Sequence, residues 1–76
     1  MDELQKRFGR RIRDLRGVRG LSQEELAFQI GMHRTYLAGI ERGIRNPCLK
    51  NIAAISEGLG VALHELFTFS NENSDQ

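Results

Sequence analysis

Cysteine and long apolar runs are nearly missing from this chain, and each absence excludes something. Cys48 is the single cysteine in 76 residues, which rules out an intramolecular disulfide framework and fits a reducing compartment. Only two histidines, His33 and His64, accompany it, so neither a structural zinc site nor any other cofactor is expected. No apolar run nears the ~18 residues that a membrane span requires. The opening Met1-Asp2-Glu3 is acidic and lacks the apolar core of a signal peptide. The expectation is a cytoplasmic protein with no membrane partner. Paired carboxylates, a Ser/His/Asp set and a metal-ligand cluster are all missing, and so short a chain has little room for a substantial pocket. Neither enzymatic activity nor a small-molecule ligand is expected. There is one proline, and its scarcity favours helices over a strand-rich fold.

What remains is a small, charged, helix-forming chain. Its length allows one domain, residues 1–69, with a polar tail over 70–76 that has no periodicity and is expected to fray. A domain of this size buries a modest share of its surface, so oligomerisation is a reasonable expectation. The net charge of +1 hides a division. Residues 1–45 carry ten Lys/Arg against six Asp/Glu, and residues 46–76 carry Lys50 against four acids. The front of the chain is suited to phosphates and the back is not.

The helical period is legible along most of the length. Leu4, Phe8, Ile12 and Leu15 recur at steps of four, four and three, predicting a first helix from Asp2 to Arg19 with Gly20 as its left-handed cap. Gly9 and Gly17 fall inside it at a cost of roughly 1 kcal/mol each. Close packing of another helix accounts for Gly9, and nothing in the sequence accounts for Gly17. A fourth helix is expected from about Leu49 to Glu57, with Leu49, Ile52 and Ile55 on one face and Gly58 and Gly60 ending it around Leu59. A short fifth follows over residues 62–67.

The most informative stretch lies between these ends. Ser22 and Glu25 have the spacing of a capping box at the start of a second helix. Counting from Gln23, a small residue (Ala27) is fifth, a glycine (Gly31) ninth, and an apolar pair (Leu37, Ile40) fifteenth and eighteenth. Ala27 lets two helices cross closely, Gly31 supplies the positive φ of a sharp turn, and Leu37 with Ile40 forms the buried stripe of a third helix. Together these place a DNA-binding helix-turn-helix over 22–43.

With these residues in place, the chain resembles the lambda-repressor/Cro-like helix-turn-helix family, also called the xenobiotic-response-element type. The resemblance runs from Phe8 to Phe67. It rests on Ile12, Leu15, Arg16, the run Ser22-Gln23-Glu24-Glu25-Leu26-Ala27, Gly31, Tyr36-Leu37, Ile40-Glu41-Arg42-Gly43, Arg45-Asn46-Pro47 and Leu59-Gly60-Val61. Within that family, Arg34-Thr35-Tyr36-Leu37 ahead of Gly39-Ile40-Glu41-Arg42-Gly43, in so short a chain, is similar to the controller proteins of restriction–modification systems. The resemblance implies a compact five-helix all-α domain that binds double-stranded operator DNA as a homodimer. Two positions depart from the family pattern. His33 and Cys48 stand where better helix caps are usual, at a cost of about 0.5–2 kcal/mol each.

Face by face, the third helix has Arg34, Thr35, Ala38 and Arg42 opposite its buried Leu37 and Ile40. Arg34 can fork onto guanine O6 and N7, and Thr35 can offer a base its hydroxyl or thymine its methyl. Ala38 and Gly39 are small enough to bring the helix backbone up to a groove. Gln23, at the start of the second helix, can hold a phosphate without reading sequence. Arg42, Arg45 and Asn46 suit further phosphates. Tyr36 has two readings, a phosphate contact or packing on the core. His33 also has two, a DNA contact when protonated or a solvated cap. Glu41 would be repelled by DNA and is expected in an ion pair with Arg16. The basic row Lys6, Arg7, Arg10, Arg11, Arg13 cannot be divided into specific sites by sequence alone. Leu63, Leu66 and Phe67 are candidate dimer-interface residues, the alternative being pure core. A transcriptional regulator is therefore the leading expectation, the restriction–modification setting its most specific form. A phage-type repressor is one alternative, and an antitoxin or other protein-interaction module with a secondary DNA-binding role is another.

Overall fold

The computed structural model describes residues 2–69; the tail expected over 70–76 lies outside them. The described residues are all-helical: α1 (Asp2–Val18), α2 (Gln23–Ile30), α3 (Arg34–Glu41), α4 (Leu49–Leu59) and a closing 3-10 turn (Leu63–Phe67). The expected fifth helix is thus a tighter 3-10 segment of five residues. α1 packs on α3 and on the closing turn, and α2 packs on α3 and α4.

The elements start and stop for local reasons. Ser22 Oγ accepts from the Glu25 N–H at 3.0 Å, and Glu25 Oε1 accepts from the Ser22 N–H at 2.8 Å, so two donors that the helix cannot use are satisfied. Gly31 ends α2 at φ +68° and ψ 34°, a left-handed conformation in which a side chain would be strained. His33 and Cys48 occupy the N-caps of α3 and α4 and make no side-chain cap bond. One expectation fails here. Gly60 ends α4, but Gly58 lies inside the helix, where a Cβ would lie 2.9 Å from Leu26 Cδ1 and strike Ile30 Cγ2. Its absent side chain lets α4 cross α2; it does not stop the helix.

The core gathers Phe8 and Ile12 from α1, Leu26 and Ala27 from α2, Leu37 and Ile40 from α3, Ile55 and Leu59 from α4, and Leu66. Burial of one such aliphatic side chain contributes about 1.5–3 kcal/mol. The two ends of the anticipated apolar stripes stay outside this core: Leu4 is 54% and Leu49 77% exposed. Both sit in the first turn of their helices, beyond the neighbour that covers the rest of the face.

Gly9 is where α1 meets α3. A Cβ there would lie 2.5 Å from the Glu41 carbonyl oxygen, so any larger residue would force the two helices apart. Nothing lies within 4 Å of a Cβ placed on Gly17, and its presence is unexplained. Gly17→Ala is expected to raise stability by up to about 1 kcal/mol. A urea titration in which the midpoint moves upward with unchanged slope checks this, and a lower midpoint refutes it.

Candidate nucleic-acid interface

α3 is held by its inner face and by one buried ion pair. Leu37 and Ile40 are fully buried. Glu41, the last residue of the helix, takes both ends of the Arg16 guanidinium: Nε to Oε2 at 2.8 Å and Nη2 to Oε1 at 2.9 Å. The Arg16 side chain is 16% exposed and that of Glu41 3%. Arg16 Nη1 also donates to the Leu21 carbonyl at 2.9 Å, and Gln23 Nε2 donates to Glu41 Oε1 at 3.0 Å. One carboxylate therefore ties α1, the entry to α2, and α3 together. The hydrogen bonds that Arg16 donates to Glu41 hold its pKa above the ordinary value; burial opposes this and the Glu41 charge reinforces it. The pairing of Arg16 with Glu41 expected from the sequence is thereby found.

The outer face of α3 lines a concavity of about 250 Å³ with Arg34, Thr35, Ala38, Gly39, Arg42, Ile44 and Arg45. Arg34, Thr35 and Arg42 are exposed. Among the described residues, the side chains of Arg34 and Arg42 have no hydrogen-bonding, ionic or ring partner. Arg45 leans back over α3, its guanidinium carbon 5.7 Å from the centre of the Tyr36 ring. That posture explains Gly39 differently from the sequence reading. Gly39 is buried, and a Cβ on it would lie 2.6 Å from Arg45 Cγ. The small residue makes room for the arginine stem, within the concavity that it helps to line. Tyr36 is half-buried against the core, with its hydroxyl accepting from Asn51 Nδ2 at 3.4 Å, which favours the packing reading. His33 stays exposed at the start of α3.

Two further site residues fall elsewhere than expected. Asn46 joins Leu4, Gln5, Phe8, Pro47, Ile52 and Phe67 around a separate apolar cleft of about 150 Å³, away from the α3 concavity. The chain meets α1 at Gly43, where Gln5 Nε2 donates to the Gly43 carbonyl at 3.2 Å. Leu66 is fully buried within its own chain and cannot form a surface for a second copy. Leu63 and Phe67 remain 49% and 45% exposed, Phe67 stacked on Phe8 at 4.9 Å between ring centres. With three residues per turn, a 3-10 segment sets Phe67 about a third of a turn away from Leu63 and Leu66, so the three apolar side chains do not share one face. The sequence reading passed over Ile44, which is 61% exposed at the edge of the α3 concavity. A β-branched apolar residue in an otherwise polar loop was the available signal.

Among the described residues, no group of three or more His, Cys, Asp or Glu side chains could hold a metal, and no helix is long and apolar enough to cross a membrane.

Comparison with known proteins adds independent findings. The family model described as helix-turn-helix matches residues 12–66. The chain is 47% identical over 64 residues to the control protein C.BamHI of Bacillus amyloliquefaciens, covering 83% of this chain and 79% of the relative. Among solved structures it is similar to the restriction–modification controller protein C.AhdI of Aeromonas hydrophila, with 48% identity, a TM-score of 0.82, and 83% and 96% of the two chains covered. It is also similar to the controller protein C.Esp1396I, solved as a tetramer in complex with its natural 35 base-pair operator, with 36% identity, a TM-score of 0.78 and 84% of each chain covered. On the capped α2, the Gly31 turn, the anchored α3 and these matches, the chain belongs to the helix-turn-helix family.

Proposed function

We propose that this protein is a sequence-specific DNA-binding regulator of transcription, a controller protein of a restriction–modification system, and a binding protein rather than an enzyme. The observation that carries this reading is the outer face of α3. Its side chains Arg34, Thr35, Ala38 and Arg42 surround one concavity, while the inner face and the Glu41 network hold the helix rigid. A helix so presented fits the major groove of B-form DNA. The operator complex of C.Esp1396I supports the same use of the fold in a relative. The reading unit is the domain 1–69, with its helix-turn-helix at 22–43.

One α3 per chain reads a half-site too short for useful affinity. A homodimer on a roughly palindromic operator, with half-sites about 10–11 base pairs apart, solves this. The exposed Phe67, beside Leu4 around the apolar cleft, and the exposed Leu63 offer a dimer surface.

The test is a titration of the duplex upstream of the protein's own coding sequence against a scrambled duplex of the same length, with footprinting. Two half-sites are expected to be protected. Arg34→Ala is expected to cost about 1–3 kcal/mol on the natural duplex and to relax preference at one base pair per half-site. Arg45→Ala, which removes a loop cation, is expected to weaken both duplexes alike. Equal binding of the wild type to both duplexes, or a footprint of one half-site by a monomer, refutes the reading. Uniform loss for Arg34→Ala reverses the assignment of the two arginines.

A further inference from the structure

The basic row of α1, which the sequence left undivided, is divided by the tertiary structure. Arg7 stacks its guanidinium 5.0 Å from the centre of the Phe69 ring, and Arg11 Nε donates to the Glu65 carbonyl at 2.8 Å. Both are committed to the closing turn and the segment after it. Arg13 is different. It is exposed and has no hydrogen bond, ion pair or ring contact among the described residues. Three positions before Arg16, it lies on the same side of α1, and it lines a concavity of about 280 Å³ with Arg16, Gln23, Glu41 and Arg42.

The charges around this concavity do not cancel. Glu41 is occupied by the two-pronged bond from Arg16 and the amide of Gln23, so its negative charge is spent within the network. Arg13 and Arg42 are left as two unneutralised guanidinium groups. Arg42 lines this concavity and also the one on the outer face of α3. The two surfaces are therefore continuous, and whatever lies against α3 extends toward Arg13.

We propose that Arg13 is a DNA-binding residue, seating beside Arg42 a further backbone phosphate of the duplex whose major groove receives α3. The proposal deepens the DNA-binding reading and rests on it. It makes α1 a contributor to the interface as well as a scaffold for it. A phosphodiester seated there replaces condensed counterions, so Arg13 acts on affinity and salt dependence and not on base preference.

The experiment measures binding of the wild type, Arg13→Ala and Arg13→Lys to the natural upstream duplex and its scrambled counterpart at several salt concentrations. Thermal melting confirms that the variants are folded. Loss of one phosphate contact per subunit makes the slope of log K against log salt shallower by about 2 for the dimer, and lowers affinity on the order of 10–100-fold at 0.1 M salt. Both duplexes are expected to lose equally, and Arg13→Lys to restore the wild-type slope, because the charge and not the fork is what counts. A salt-dependent wild type whose slope is unchanged in Arg13→Ala overturns the inference and leaves the DNA-binding reading standing. A changed base preference in Arg13→Ala also overturns it. A wild type whose binding to both duplexes is insensitive to salt refutes the DNA-binding reading itself and the inference with it.

Discussion

Raising salt from about 50 to 200 mM is expected to weaken binding to the upstream duplex by about 1,000-fold, a slope of roughly −5 in log K against log salt. The figure follows from about three neutralised phosphates per subunit, with Arg13, Arg42 and Arg45 as the cations that supply them. Gln23 can orient a phosphate but releases no counterion, since it carries no charge. Its amide is also shared with Glu41 Oε1 at 3.0 Å, which sets the side chain in a single posture. Preference for the natural duplex over the scrambled one should survive the added salt better than affinity does. Contacts of Arg34 and Thr35 with base edges are short-ranged and add to the screened term. Fluorescence anisotropy at four or more salt concentrations measures both quantities. A shallow slope with coincident curves for the two duplexes would sink the regulator reading in favour of a protein-interaction module.

Glu41→Ala is expected to lower stability by about 3–5 kcal/mol, a large part of what a domain of this size possesses. The reason is asymmetric. Removing the carboxylate leaves the Arg16 guanidinium, 16% exposed, with one remaining bond to the Leu21 carbonyl, and it strands the Gln23 amide. Removing both charges together is a different matter. The pair Arg16→Met with Glu41→Leu fills similar volume and leaves no uncompensated charge, so it is expected to recover most of the loss. Urea midpoints of the single and double variants check this, and a Glu41→Ala loss below about 1 kcal/mol would show that the pair is not acting as a buried one. The pH behaviour follows from the raised Arg16 pKa. A cation whose folded-state pKa is raised contributes stability in full below its ordinary value and loses it only as pH climbs through the raised one. For arginine this window lies in strong alkali, so Arg16 adds no slope to stability across the neutral range.

Much of the architecture was legible because its causes are local. The Ser22 and Glu25 box depends on residues three apart, the Gly31 turn on one backbone conformation, and the stripe of Leu37 and Ile40 on the helical period. Each can be read from a few adjacent residues. Glu41 was legible by elimination, since a carboxylate beside a phosphate-binding surface needs a cation and Arg16 was the candidate. Gly58 misled because a glycine near a helix end looks the same in sequence whether it stops the helix or admits a neighbour. Only the approach of Ile30 and Leu26 decides between these. Leu66 and Phe67 are adjacent and both apolar, yet one is fully buried and the other nearly half exposed. The difference is set by where the closing turn lands on α1.

The sequence by itself determined the all-helical class, the start and turn of α2 and the face of α3 that looks outward, because these follow from periodicity, caps and spacing within one or two helices; the family was legible as a resemblance of its motifs. Only the tertiary structure decided the roles that depend on residues far apart in the chain. Gly39 gives way to the stem of Arg45, Asn46 turns to the cleft beside Leu4 and Phe67, and Gly9 receives the carbonyls of Ile40 and Glu41. The same holds for the cations of α1. Arg7, Arg11, Arg13 and Arg16 are alike in sequence, and they are separated by what α2, α3, the closing turn and the segment after it place opposite each: an aromatic ring, a carbonyl, an open concavity and a buried carboxylate. A side chain's type is local, but the partner that uses its charge is supplied by the packing of distant elements.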